Sequence, residues 1–315
     1  MTGATLDAVK LSALVEDGMA AVERAMIQAT DSDVEVLREA SLHILGAGGK
    51  RIRPRLLLLT YLALGGRDVD YVADPAAAIE LMHTASVVHD DINDHGILRR
   101  GRPSVNAIWG RPFALLTGDF LFTAVYELRA PYQELTVDLA KAATGLVEGE
   151  TLQASAVKNN TFTREAYMRI IARKTAALFR AASTIGAKLA GSRPDETRIL
   201  SDFGYNLGIA FQIVDDILDL VSDQDKLGKT SGVDITQGRG VAVAMNDANG
   251  NGRAQSVDPL DEIRRKLMDG DTIKTAREQA RYLIDSSIAS LAILDESPAK
   301  SELIDLARQV IERDS

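Results

Sequence analysis

The chain has no cysteine, which removes disulfides, thiolate nucleophiles and cysteine-ligated zinc from consideration. Aromatic residues make up 5% of its 315 residues, with a single tryptophan, and the 46% of hydrophobic residues are mostly Ala, Leu, Val and Ile. Few aromatics and abundant Ala and Leu favour helix over strand. A surplus of cations is lacking too. The net charge is −9, whereas a broad nucleic-acid footprint needs clustered Lys and Arg. An acidic balance still admits a small anionic ligand, because a few local cations and bound metal reverse the field at short range. The first residues, MTGATLDAVKLSALVEDG, show no basic region followed by an apolar core, so no secretory signal is visible. The longest strongly apolar run, Leu56–Leu64, is broken at Thr60 and Tyr61 and falls far short of the roughly 20 residues of a spanning helix. The expectation is a cytoplasmic protein with no transmembrane segment, touching a membrane only if its product is greasy.

Apolar positions recur at three and four residues almost throughout, as in Leu11, Leu14, Val15, Met19, Val22, Ala25 and Met26. Long alternating runs are scarce. Gly and Pro fall between the periodic stretches, at Gly46–Gly49, Gly65-Gly66, Gly101–Pro103, Gly110–Pro112 and Gly191–Pro194. This pattern predicts about ten to thirteen helices with short loops, and no linker divides them. One all-α domain over 1–315 is the simplest architecture. The least helical stretch, Gly228–Pro259, reads as a functional loop.

Two clusters of the same form carry the most information: Asp90-Asp91-Ile92-Asn93-Asp94 and Asp215-Asp216-Ile217-Leu218-Asp219. Each follows an apolar stretch that reads as helix, Ala76–Val88 and Leu207–Val214. Residues four apart share a helix face, and like charges at that spacing destabilise an isolated helix. One such cluster could be an acidic helix end at the surface. Two with matching spacing point to cations held there, and Mg²⁺ takes one or two carboxylates plus substrate phosphates. The pattern implies a di- or triphosphate held by magnesium between two helices. Cations accompany the clusters. Gly48-Gly49-Lys50-Arg51-Ile52-Arg53-Pro54 is a glycine turn with three of them, suited to an anion at a helix start. Arg99-Arg100-Gly101 follows five residues after Asp94, and the arginine fork suits phosphate oxygens.

The chain resembles the head-to-tail trans-isoprenyl diphosphate synthases, the polyprenyl synthetase family, on GGKRIRP at 48–54, HTASVVHDDINDHGILRRGRPS at 83–104, LTGDFLF at 116–122, EGETLQ at 148–153, RKTAALF at 173–179, FQIVDDILDL at 211–220 and LGKTSGVD at 227–234. Beyond residue 240 the match fades. There the chain has Arg239-Gly240-Val241 where the family usually shows a Lys and a Thr-Leu-Pro helix start. The resemblance implies an all-α bundle around a central cavity, of isoprenoid synthase type, working as a homodimer. It implies that three Mg²⁺ ions are held by Asp90, Asp94 and Asp215, with Asp91 and Asp219 completing the motifs. It implies that Arg99, Lys174 and Lys229 meet an allylic diphosphate, and that Lys50, Arg51, His83 and Arg100 form the site for isopentenyl diphosphate. Thr175 and Gln212 match positions near the developing carbocation. The proton lost at the end goes to the departing diphosphate, so no protein base is nominated. His43, His89 and His95 are left as structural or unassigned. Glu148 and Glu150 read by default as surface carboxylates, with support for the cation network as the alternative.

In this family the product tail runs down beside the first Asp-rich helix, so residues upstream of Asp90 form its floor. Ala85 and Ser86 are small, and Met82 lies another turn back. Small residues leave the tunnel open, which favours a product of about C30 or longer. A floor at Phe120 or Phe122 favours geranylgeranyl diphosphate instead, and a farnesyl synthase is the shorter alternative. Two rivals share features of the sequence. A terpene cyclase ionises the same kind of substrate but has no second diphosphate to hold. A regulatory subunit tends to lose the Asp motifs, and this chain keeps both.

Overall fold

The computed structural model describes residues 7–161, 163–237 and 270–312, with side chains up to Asp219 in the helix that ends at Gln237 and from Ile273 onward. Its elements are α1 (Ala8–Ala29), α2 (Glu35–Leu45), α3 (Ile52–Ala63) and α4 (Ala73–Asn93), a small hairpin of β1 (Leu98–Arg99) and β2 (Arg102–Pro103), then α5 (Val105–Trp109), α6 (Arg111–Arg129) and α7 (Thr136–Lys158). After these come α8 (Arg164–Ile171), a π turn (Ala172–Ala176), α9 (Ala177–Leu189), α10 (Pro194–Gln237), α11 (Gly270–Ser290) and α12 (Pro298–Ile311). The all-α expectation holds, and among the described residues the hairpin is the one sheet.

Local chemistry starts several helices. Asp7, Ser104, Thr163 and Ser297 each accept a backbone N–H of the first turn of α1, α5, α8 and α12, as N-caps do. The hairpin turn has Arg100 at φ 51° and Gly101 at φ 74°. Positive φ at both central residues is what a two-residue turn joining right-twisted strands requires.

Two helices lie at the centre. In α4, 15 of 21 residues are buried, and α3 buries every residue from Leu56 to Leu62. Helices apolar on all sides belong to the interior. Their polar groups are satisfied: Thr60 donates to the Leu56 carbonyl at 2.7 Å and Thr84 to that of Glu80 at 2.8 Å, so burial strands neither hydroxyl. The break in the Leu56–Leu64 run is therefore compatible with a core helix. Around this pair, α1 and α6 pack on α4, and α9 and α12 on α3. The long α10 lies between α9 and α11. The two Asp-rich motifs thus sit on the central α4 and on α10, which packs on α9.

The loop expected from Gly228 is corrected. The backbone is helical through Gln237. A glycine in a helix costs about 1 kcal/mol against alanine, and propagation of an established helix carries through such positions. The remainder of the Gly228–Pro259 stretch lies outside the described residues. Among the described residues no helix is long and apolar enough to cross a membrane.

Candidate active site

A cavity of about 560 Å³ opens between the glycine turn, the hairpin, α4, the π turn and α10. It gathers Lys50, Arg51, His83, Ser86, Asp90, Arg99, Arg100, Lys174, Thr175, Gln212 and Asp215, residues that lie up to 165 positions apart in the chain. Its charged wall holds six cations, Lys50, Arg51, Arg53, Arg99, Arg100 and Lys174, against three carboxylates, Glu80, Asp90 and Asp215. A chain of net charge −9 has thus concentrated positive charge in one concave place. Such a field attracts anions, and low-dielectric walls focus it.

The two motifs divide their labour alike. The leading aspartates, Asp90 and Asp215, line the cavity. The middle ones turn away into the protein. Asp91 is buried and accepts from Arg99 Nε at 3.0 Å and Nη2 at 2.5 Å. Asp216 is buried and accepts from the Tyr167 hydroxyl and, at 2.8 Å, from the Gln212 amide. Asp91, expected among the metal ligands, thus sits behind the cavity wall with its Oδ1 fixing Arg99. Asp216 does the same for Gln212. With the Gln212 N–H pointed at Asp216, its carbonyl oxygen accepts from Thr175 at 2.7 Å. Asp94 caps α4, its N–H bonded to the Asp90 carbonyl at 2.8 Å. Neither Asp94 nor the exposed Asp219 lines the cavity.

Lys174 and Thr175 enter from the π turn, a widened helical turn often found at functional sites. A Cβ on Gly149 of α7 would come within 2.6 Å of the Lys174 backbone nitrogen, so only glycine lets α7 approach this closely. That approach brings Glu150 to Lys174. The ammonium lies 3.1 Å from Asp90, 2.8 Å from Glu150 and 3.0 Å from the Gln153 side-chain oxygen. Burial alone would lower the Lys174 pKa, but the charges of Asp90 and Glu150 raise it. The Glu150 carboxyl is pushed up to about 8, by burial first and the neighbouring Asp90 second, against the pull of Lys174. Glu148, by contrast, is exposed and pairs with Arg173 at 3.0 Å.

The basic end has a different order from the one expected. Arg51 opens α3 in the left-handed region, at φ 44°. Its guanidinium donates to Glu23 at 2.7 Å, Glu80 at 3.0 Å and the Leu45 carbonyl at 2.9 Å. Arg51, expected as a diphosphate ligand, thus ties α1, α2 and α4 together while also lining the cavity. Arg53, counted among the cations of the turn but given no role from the sequence, is buried on the cavity wall with its Nε lacking a hydrogen-bond partner and its guanidinium 4.8 Å from the Phe179 ring centre. A buried donor with no partner is costly and marks a place for an incoming acceptor. The signal was present: Arg53 is the third cation of the glycine-turn motif. Burial in the wall and the charges of Arg53, Arg100, Arg51 and Arg99 hold the His83 pKa well below 6.5, so its ring is neutral at pH 7. Glu80 and Tyr167 were also missed, since each works through a partner that lies far off in sequence.

Of the expected floor, Ser86 lines the cavity and its hydroxyl donates to the His83 carbonyl at 2.8 Å. Ala85 and Met82 face the packed core instead, 0% and 2% exposed. The ring of Phe122 lies 6.1 Å from that of His89. Lys229 lies among residues whose side chains are not described. Among the described residues no three His, Asp or Glu side chains converge on one point. The donors on the wall are carboxylate oxygens, which suit a hard divalent ion sharing its shell with phosphate oxygens, and Asp90 and Asp215 fit that pattern.

Residues 34–279 match the family model described as Polyprenyl synthetase, so the likeness continues past residue 240, where the motifs fade. The octaprenyl diphosphate synthase of Escherichia coli (strain K12) is 33% identical, over 97% of this chain and 98% of its own. A short chain isoprenyl diphosphate synthase of Methanothermobacter thermautotrophicus is 38% identical, over 93% and 95%. Among solved structures, the polyprenyl synthase from Caulobacter crescentus CB15, complexed with calcium and isoprenyl diphosphate, superposes with a TM-score of 0.78. It is 29% identical and covers 99% of both chains.

A carboxyl of raised pKa favours folding while protonated. The Glu150 contribution is therefore complete below its ordinary 4.5 and lost as pH rises through about 8. His83 acts in the opposite sense: its contribution is lost only as pH falls below 6.5. Metal-free protein should accordingly melt lower at pH 8.5 than at 6.5, and Glu150→Gln should flatten that slope while keeping the acid limb. A wild-type melting temperature that is flat over this range would refute the assignment.

Proposed function

The chain belongs to the polyprenyl synthetase family, and on that premise we propose that it is a Mg²⁺-dependent enzyme that extends an allylic diphosphate with isopentenyl diphosphate to a trans-polyprenyl diphosphate. The observation that carries this reading is the cavity wall of six cations and three carboxylates in an acidic protein. A cyclase has one diphosphate to hold. This wall has cations enough for two, in two groups: Lys174 and Arg99 beside Asp90, and Lys50, Arg53 and Arg100 on the turn and hairpin.

Asp90 and Asp215, with Asp94 one turn on, would hold the Mg²⁺ ions, three in number. When bound, the metal would neutralise charge building on the leaving diphosphate. Lys174 and Arg99 add fixed positive charge at the same oxygens. The allylic C1–O bond breaks and its electron pair leaves with the diphosphate. The C3–C4 double bond of isopentenyl diphosphate, gripped by Lys50, Arg53, Arg100 and the neutral His83, attacks that carbon. The Thr175 hydroxyl and the Gln212 carbonyl, locked by Asp216, face the developing cation. The proton released from C2 passes to the diphosphate.

The product is read as about C30 or longer, because the wall residue nearest the tail path, Ser86, is small. The enzyme is read as one catalytic unit over the whole chain, since a continuous apolar core runs from Leu11 to Val310. It is further read as a homodimer. Leu115, Leu116 and Tyr126 of α6 are 50%, 53% and 63% exposed, and exposed apolar groups gathered on one element mark contact surfaces.

Incubation with Mg²⁺ and both substrates should yield a prenyl diphosphate longer than the primer, while product from the allylic substrate alone would identify a cyclase. Asp90→Ala and Asp215→Ala should each lower kcat by about 10²–10³ with the melting temperature preserved; a sharp fall in melting temperature instead would make these carboxylates structural. Ser86→Phe should shorten the main product by at least one five-carbon unit in a chromatographic sizing assay, and an unchanged product would move the floor to Phe122. Leu116→Glu should convert a dimer to a monomer in sedimentation velocity, and a dimer that survives it would place the contact elsewhere.

A further inference from the structure

Two segments carry the cations read above as the grip on isopentenyl diphosphate: the turn Gly48–Arg53 and the hairpin Leu98–Pro103. The backbone of the turn touches the Arg100 side chain of the hairpin. A Cβ on Gly49 would lie 2.5 Å from Arg100 Nη1, so the turn passes directly under the Arg100 guanidinium. The spacing of Lys50 and Arg53 from Arg100 then depends on how firmly turn and hairpin are held together.

On the α4 side the hairpin is anchored by Arg99 on Asp91, by the Ser104 hydroxyl on the Gly96 carbonyl at 2.7 Å and by the Ser104 N–H on the Ile97 carbonyl at 3.0 Å. None of these reaches the turn. Two other contacts do so, through α2. His43, in the last turn of α2, lies with Nε2 2.8 Å from the Pro103 carbonyl of β2. Arg102, on the same strand, donates to the Gly46 carbonyl at the C-cap of α2, at 3.1 Å. The His43 ring is itself set edge-on against Trp109 of α5, with centroids 5.5 Å apart. Gly46 lies two residues before the glycine turn begins. Both bonds therefore join the end of α2, from which the turn springs, to the strand that leaves the hairpin.

We propose that His43 and Arg102 form a latch that sets the distance between the Gly48–Arg53 turn and Arg100, and so position the cations for the second diphosphate without touching it. The inference rests on the reading of this end of the cavity as the isopentenyl diphosphate site. His43 acts as a donor through its Nε2–H, and Arg102 through its guanidinium. Each leaves Asp90, Asp215 and Lys174 undisturbed, because those sit on α4, α10 and the π turn, and neither latch bond reaches these elements. Loss of the latch should weaken one substrate and spare the other.

His43→Ala and Arg102→Ala should each raise the KM for isopentenyl diphosphate about five- to tenfold, the scale of one lost hydrogen bond. The KM for the allylic diphosphate and kcat should stay within about twofold. His43→Gln, which keeps a side-chain N–H donor, should recover most of the loss. Calorimetric titration of isopentenyl diphosphate alone should show the same ratios in Kd. Unchanged Kd and KM in both alanine variants would overturn the latch, as would equal losses for both substrates accompanied by a lower melting temperature. Wild-type protein that binds isopentenyl diphosphate yet forms no longer product would strike the condensation reading alone, since the Kd ratios would still decide the latch. Wild-type protein without affinity for it would overturn both.

Discussion

Lys174 lies within 3.1 Å of Asp90 and 2.8 Å of Glu150, in a wall so crowded with carboxylates that even this ammonium leaves the Glu150 carboxyl raised to about 8. Much of the site depends on this compensation. The π turn that carries Lys174, the glycine in α7 that admits it and the helix end that carries Asp90 all meet at one ammonium. The elevated Glu150 pKa reports how nearly the balance fails. Like charges at that range are tolerated only where a cation, whether side chain or metal, stands between them.

The same rule orders the rest of the cavity. Each Asp-rich motif spends its middle member on internal organisation, Asp91 on Arg99 and Asp216 on Gln212, leaving the leading member at the wall. Arg51 is spent likewise, buried among Glu23, Glu80 and a carbonyl, so that the turn beside it keeps its shape. Two bulky residues, Arg51 and Arg100, hold positive φ, a conformation rare outside glycine and worth about 1–3 kcal/mol of strain. Both belong to the segments that present cations. The surrounding core, with α3 and α4 buried on nearly all sides, is rigid enough to hold them there.

The sequence by itself determined the fold class, the family and the identity of most wall residues. Helical periodicity and scarce aromatics indicated an all-α chain, and two DDxxD clusters with GGKRIRP and RRGRPS indicated a site for diphosphates and metal. These features are legible because they are local: a repeat of 3.6, a glycine turn and carboxylates one helical turn apart each follow from residues near in sequence. What only the tertiary structure decided is how equivalent residue types divide their tasks. Arg51 and Arg53 stand two apart in one motif, yet one is locked by Glu23 and Glu80 and the other is left with an unpaired donor on the wall. Ala85 and Ser86 are neighbours, yet one faces the core and the other the cavity. Glu148 and Glu150 differ in the same way, one exposed and one pressed against Asp90. A side chain's charge or size is written in the chain, but partners such as Glu23 and Glu80 for Arg51 come from other helices. Hydrogen bonding and desolvation, which set whether a group binds ligand or holds its neighbour, exist only once those helices pack.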